Sequence, residues 1–275
     1  MEELLLISLK AAVAAGKAVL DVYNSKEFFI KEKEDKSPLT EADLRSQKTI
    51  LSFLSKTNFP ILSEEGKDIP YFERKNWKSF WLVDPLDGTK EFIKRNGEFT
   101  VNIALIENAI SVLGVVYAPA IGELYFALKG LGAYKIESLK ISEIEKEDID
   151  LKTILNNSQT LCPSSLNQSE VTVVASRSHM SKETEEFIKG LEEKHSTVKT
   201  VSKGSSLKLC LVAEGKADIY PRFAPTMEWD TAAGQAVVEI SGGKVVDAKT
   251  KAPLRYNKEN LLNPYFIATR KGYEL

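Results

Sequence analysis

The residues of this 275-residue chain best suited to chemistry are acids, and they are densest in Phe80-Trp81-Leu82-Val83-Asp84-Pro85-Leu86-Asp87-Gly88-Thr89. There an apolar strand-like run leads into a turn with two carboxylates. Pro85 fixes its own φ and offers no amide hydrogen, which predicts that the strand ladder ends at that point. Gly88 permits a tight backbone path, so Asp84 and Asp87 can converge. A second acidic site, Ile61-Leu62-Ser63-Glu64-Glu65-Gly66, follows a proline, and a third, Pro225-Thr226-Met227-Glu228-Trp229-Asp230, opens an Ala-rich helix. Taken singly, each has a structural explanation: a charged turn, a solvated loop acid at Glu64, an N-cap at Asp230.

Taken together, they point to a metal centre. Two carboxylates about 4 Å apart repel by about 4 kcal/mol at an effective dielectric near 20. If Glu64, Asp84, Asp87 and Asp230 converge, cations must neutralise them. Oxygen ligands without His or Cys are hard, and select Mg²⁺ or Mn²⁺ over Zn²⁺. Such ions keep positions open for water and phosphate oxygens, so the implied chemistry is phosphoryl hydrolysis. Asp-Gly-Thr also occurs in haloacid-dehalogenase-type phosphatases. In that chemistry the acids stand two apart with the first as nucleophile, whereas Asp84 and Asp87 stand three apart around Pro85.

Composition narrows the partners. The 37 Lys and Arg against 39 Asp and Glu argue against a nucleic-acid polymer held by bulk charge, so an anionic ligand needs a local pocket. With 43% hydrophobic and 28% charged residues, 15 Gly and 10 Pro, the chain is of ordinary globular type, neither disordered, collagenous nor disulfide-stapled. Cys162 and Cys210 form no close pair, so neither a thiolate zinc site nor a redox dithiol is indicated, and a reducing compartment fits. The opening MEELLLISLKAAVAAGKAVLDVY starts acidic and is interrupted by Lys10 and Lys17, which predicts an amphipathic surface helix rather than a signal or a membrane span. A cytoplasmic protein without a transmembrane segment is expected.

The elements that must position the acids follow from periodicity. Helices are predicted through residue 23 and over 41–56, and then strands at 80–84, 99–106, 112–117, 123–128 and 133–136 form an antiparallel meander. The charged, Asn- and Ser-rich stretch 138–170 reads as a domain boundary or surface excursion. Alternation follows: strand 171–175, helix 182–193, strand 197–201, helix 205–213, strand 217–220 and helix 229–240. The reading is an α+β protein in two parts, residues 1–150 carrying the antiparallel sheet and most metal ligands, and 151–275 supplying substrate-binding residues and the last ligand.

Three separated motifs carry a family resemblance. Asp84 to Asn102 (DPLDGTKEFIKRNGEFTVN), Ser202 to Arg222 (SKGSSLKLCLVAEGKADIYPR) and PTMEWDTAAGQ at Pro225 to Gln235 resemble the inositol monophosphatase superfamily of Mg²⁺-dependent, lithium-sensitive phosphatases, in its bacterial 3'(2'),5'-bisphosphate nucleotidase branch. The likeness is weakest over 138–170, and Glu239-Ile240-Ser241-Gly242-Gly243 departs from the Glu-Ala-Gly-Gly ending common in the superfamily. The resemblance implies a layered α-β-α-β-α sandwich and a role in sulfur metabolism. The implied reaction is hydrolysis of adenosine 3',5'-bisphosphate to AMP and phosphate, with an inositol or sugar monophosphatase as the nearest alternative and a non-catalytic metal-binding regulator as a distant one. The implied substrate is a small nucleotide bisphosphate, and the oligomeric state stays open.

Residue by residue, the resemblance implies that Glu64, Asp84, Asp87, Asp230 and the Leu86 carbonyl hold two or three Mg²⁺, with Asp84 bridging two of them. Asp43 would hold the Thr89 hydroxyl, which with a metal orients the attacking water. The amides of Gly88 and Thr89, successive donors at a turn, would cradle the scissile phosphate. Ser205, at a helix opening, with Lys208 and Arg222 would clamp a second phosphate, Asp230 would also touch substrate, and His179 would approach the adenine or its ribose.

Overall fold

The computed structural model describes residues 1–275 except 26–28, 33–37, 164–168 and 176–179. Helices α1 (Glu2–Tyr23) and α2 (Glu41–Leu54) flank a small ribbon of β1 (Ile30–Glu32) and β2 (Pro38–Thr40). Then come β3 (Ile61–Ser63), α3 (Tyr71–Arg74), β4 (Ser79–Asp87), α4 (Thr89–Ile93), and the meander β5 (Thr100–Glu107), β6 (Ile110–Ala118), β7 (Glu123–Leu128) and β8 (Gly132–Glu137). A 3-10 segment (Ser138–Glu145), α5 (Leu151–Asn156) and β9 (Gln159–Thr160) lead to β10 (Glu170–Val174), α6 (Lys182–Glu192), β11 (Thr197–Val201), α7 (Leu207–Glu214), β12 (Ile219–Arg222), α8 (Glu228–Ile240), β13 (Lys244–Asp247) and β14 (Phe266–Thr269).

Strands β3 to β9 form one sheet in chain order, parallel at β3–β4 and antiparallel beyond. The second sheet runs β11-β10-β12-β14-β13, parallel among its first three strands and antiparallel among its last three. Helices α1 and α2 cover one face of the first sheet, α7 and α8 fill the space between the sheets, and α6 covers the far face of the second. This is the expected α-β-α-β-α layering. Strand β5 shows how sequence produces it: Val101, Ile103 and Leu105 join the core under α1, while Ala104 and Ile106 join the core under α8. Both faces are buried, so the strand reads as a nearly continuous apolar run.

The structure departs from the sequence reading in three places. Pro85 does not end the ladder; β4 continues through it to Asp87, with an irregularity between the pairs Asp84↔Asn102 and Asp87↔Thr100. A bulge needs no amide donor from the extra residue, so proline is tolerated there. Within 138–170, β9 pairs with β8 and extends the first sheet, so that part of the stretch is not a surface excursion. Strands β3, β13 and β14 are absent from the sequence reading; β3 pairs with β4, and β13 and β14 complete the second sheet.

Helix α8 packs closely on the first sheet at Gly114 of β6, where an added Cβ would collide with the Ala233 carbonyl oxygen and the Ala236 methyl. Gly114→Ala is therefore expected to cost about 1–3 kcal/mol through overpacking. Gly190 in α6 has nothing within 4 Å of such a Cβ, so Gly190→Ala should be neutral or stabilising. Guanidinium unfolding of the two variants checks the contrast; equal midpoints would mean that α8 yields freely at Gly114.

Candidate active site

The bulge in β4 places the two motif carboxylates on one face. In a regular strand, residues three apart point to opposite sides. Here Asp84 faces Asn102 and Asp87 faces Thr100, and these two partners, two apart on β5, share a face. Parallel pairing of β3 with β4 brings the following Glu64 alongside, its amide donating to the Val83 carbonyl at 3.1 Å. The first turn of α8 supplies Asp230, whose Oδ2 accepts from the Met227 amide at 2.8 Å. Carboxylate oxygens of Glu64, Asp84 and Asp230 consequently lie within 4.8 Å of one another. Asp230 is therefore not the N-cap of α8: Met227 takes that position, and Asp230, the third helical residue, closes the capping box on the Met227 amide while still reaching the cluster.

Asp87 stands beside this triplet. Its Oδ2 accepts from Ser205 Oγ at 2.5 Å and Ser206 Oγ at 2.7 Å. Asp84 Oδ1 accepts from the Leu86 amide at 3.0 Å. Burial, followed by repulsion from Glu64, Asp87 and Asp230, raises the Asp84 carboxyl well above its ordinary range. Burial and then Asp87 push Asp230 up to about 8, although its bond from the Met227 amide and the Arg222 charge pull the other way. All-oxygen donors that resist ionising together fit a hard divalent cation, which would relieve the repulsion that lifts Asp84 and Asp230.

Asp43 is almost wholly buried, at 1% exposure, and is not a solvated helix acid. It closes a capping box at the start of α2, its Oδ2 accepting from the Thr40 amide at 2.7 Å and the Thr40 hydroxyl at 2.6 Å. Its other oxygen accepts from Thr89 Oγ1 at 3.4 Å, and the same hydroxyl lies 3.3 Å from the Leu86 carbonyl. Ser46 of α2 donates to the Pro85 carbonyl at 2.6 Å and fixes the helix against the bulge. Gly88, at φ +89°, adopts the left-handed conformation that lets the chain turn from β4 into α4.

A cavity of about 620 Å³ opens beside the acids, lined by Asp87, Gly88, Ser205, Lys208, Arg222 and Asp230 among others. Lys208 Nζ donates to the Ser205 carbonyl at 3.1 Å and Arg222 Nη2 to the Pro225 carbonyl at 3.3 Å. Among the described residues, the buried Arg222 Nε has no hydrogen-bond partner. His179 lies outside the described residues. The sequence reading missed Thr100, Asn102, Ser206 and Glu98. Thr100 and Asn102 carried a usable signal, being polar at alternate positions of an otherwise apolar strand. Glu98 accepts from the Gly204 amide at 2.8 Å and so joins the hairpin after β4 to the loop before α7.

The profile of the inositol monophosphatase family matches residues 1–273. The chain belongs to that family. It is 45% identical over 257 residues to the 3'(2'),5'-bisphosphate nucleotidase CysQ of Escherichia coli (strain K12), covering 92% of this chain and 94% of that one. The enzyme of the same name from Salmonella typhimurium is 45% identical over 259 residues, covering 93% and 95%. Among solved structures, CysQ from Bacteroides thetaiotaomicron superimposes with a TM-score of 0.89 at 48% identity, covering 99% of each chain. No helix among the described residues is long and apolar enough to cross a membrane.

Proposed function

We propose that this chain is a Mg²⁺-dependent 3'(2'),5'-bisphosphate nucleotidase that hydrolyses the 3'-phosphate of adenosine 3',5'-bisphosphate to AMP and phosphate. The observation that carries the reading is the approach of Glu64, Asp84 and Asp230 to within 4.8 Å of one another beside a cavity that also holds Lys208 and Arg222. The acids suit a metal-assisted phosphatase. The two cations suit an anion beyond the scissile group, which a nucleotide bisphosphate has and a monophosphate lacks. The extensive identity to nucleotidases supports the same assignment.

Glu64, Asp84, Asp87, Asp230 and the Leu86 carbonyl would hold the metal, and bound Mg²⁺ would supply Lewis acidity toward the phosphate oxygens and acidify the attacking water. The amides of Gly88 and Thr89, successive donors where β4 turns into α4, would donate to the scissile phosphate. Thr89 Oγ1 donates a hydrogen bond to Asp43 and keeps lone pairs to accept a hydrogen bond from the attacking water, which orients the water's oxygen toward phosphorus. Ser205, Lys208 and Arg222 hold the 5'-phosphate. Lys208 Nζ donates to the Ser205 carbonyl, and the 5'-phosphate would offer it a charged acceptor.

Phosphate release from adenosine 3',5'-bisphosphate and from inositol 1-phosphate, each with Mg²⁺, tests the reading. Loss of a hydrogen bond to a charged group is worth about 1.5–3 kcal/mol. Lys208→Ala and Arg222→Met should therefore each raise KM for the bisphosphate by about tenfold to a hundredfold, and leave any slow monophosphate turnover unaltered. Faster wild-type turnover of the inositol ester would instead make this chain a monophosphatase.

A further inference from the structure

Ser206 occupies the N-cap position of α7, yet its side chain makes no capping hydrogen bond. Its backbone is already helical, at φ −66° and ψ −8°, rather than in the extended conformation from which a serine accepts from a first-turn amide, so the hydroxyl is available to other partners. Here the hydroxyl is turned away, 2.7 Å from Asp87 Oδ2 and 3.0 Å from the Asp230 carbonyl oxygen, and it accepts from Asn102 Nδ2 at 2.8 Å. Both Ser206 and Asn102 are buried, so the hydroxyl has protein partners on β4, β5 and α8 at once. The preceding Ser205 sits at φ +54°, a conformation that costs a side-chain-bearing residue of order 1 kcal/mol. Its own hydroxyl meets Asp87 and Thr100 at 2.5 and 2.6 Å. A strained turn is retained, and it brings two hydroxyls onto one carboxylate oxygen.

The same turn carries Lys208 two residues further on. Anything that fixes this turn from the cavity side therefore also fixes the serine hydroxyls on Asp87, and a cation that fixes Asp87 fixes the turn. We infer that Ser206, backed by Asn102, is a positioning residue that couples the distal-phosphate clamp to the metal centre, so that nucleotide and Mg²⁺ bind cooperatively. This rests on the nucleotidase reading, from which it takes the clamp and the metal. The coupling is reciprocal by necessity, each ligand tightening the other by one common factor.

Calorimetric titration of the whole chain, at fixed pH and salt, separates the possibilities without turnover. AMP is the probe because it carries the 5'-phosphate and no scissile group. Titrating Mg²⁺ into wild type with and without saturating AMP should show Kd falling at least about fivefold with AMP, the low end of ordinary coupling. Ser206→Ala should still bind AMP and Mg²⁺ separately, but with the ratio of Mg²⁺ affinities reduced to less than twofold. Asn102→Ala, which contacts neither ligand in the proposed scheme, should weaken the coupling in the same direction, and thermal unfolding of both variants checks that they fold. Wild-type coupling retained in folded Ser206→Ala, or AMP binding without any effect on Mg²⁺ in wild type, overturns the linkage and leaves the nucleotidase reading intact. Failure of wild type to bind AMP at all sinks the nucleotidase reading itself.

Discussion

Asp84→Asn is expected to lower kcat by at least about a thousandfold while making the metal-free protein more stable. The activity loss follows from the central place of Asp84, whose carboxylate oxygen lies within reach of both Glu64 and Asp230. Lewis-acid stabilisation of developing charge is worth several kcal/mol, and about 4 kcal/mol lost is about a thousandfold in rate. The stability gain follows from the electrostatics of the acid cluster in metal-free protein. Asp84 is buried among three like charges, and its carboxyl is held well above the usual range. An acid whose folded-state pKa exceeds its unfolded value binds its proton more firmly when folded, so stability falls as pH rises from the unfolded pKa toward the folded one. For Asp230 that window runs from its usual 3.8 to about 8, and Asp84 moves in the same direction. In chelator, wild type should lose melting temperature across that range, and Asp84→Asn, with one charge fewer to repel the others, should lose less. Added Mg²⁺ should raise wild type most at the alkaline end, where the carboxylates are ionised, and should raise the variant little. Parallel pH profiles for the two proteins in chelator would mean that the acids do not repel one another as their spacing requires.

Much of this site was legible in the sequence, for reasons that differ from residue to residue. The meander β4 to β8 was visible because its strands are long and apolar and its turns are marked by residues such as Asn108 and Gly130. Asp84 and Asp87 stood out as two acids at the end of such a strand. Why they share a face did not, because Pro85 reads as a stop and only the paired strand reveals the bulge that absorbs it. Asp43 illustrates the opposite limit: Thr40-Glu41-Ala42-Asp43 is a recognisable helix start, but burial at 1% and the reach to Thr89 are properties of how α2 sits on β4. The serine contacts on Asp87 join residues 118 and 119 positions apart, a distance over which no local pattern carries information. Position in the fold therefore came from periodicity, whereas the partners of each acid came from packing.

Thr89→Val carries the second large effect, and it separates orientation of water from binding of substrate. Valine keeps the shape of threonine but cannot donate to Asp43 Oδ1 at 3.4 Å, nor accept from a water on the other side. Groups that handle a proton in the transition state contribute about a hundredfold to ten-thousandfold, so kcat should fall within that range. KM should stay within about threefold, because the amide of residue 89 is unaltered and removal of an interaction made only in the transition state lowers kcat without changing KM. Thr89→Ser, which restores the hydroxyl, should recover most of the rate. Asp43→Asn should fall between them, since its amide oxygen still accepts from Thr89 but lacks the charge that makes the acceptor strong. Asp43→Asn must also replace an oxygen that holds both the amide and the hydroxyl of Thr40, so its melting temperature should drop where that of Thr89→Val does not. A Thr89→Val protein retaining more than a tenth of wild-type kcat would remove Thr89 from the water-orienting role and leave Asp43 as a capping residue of α2.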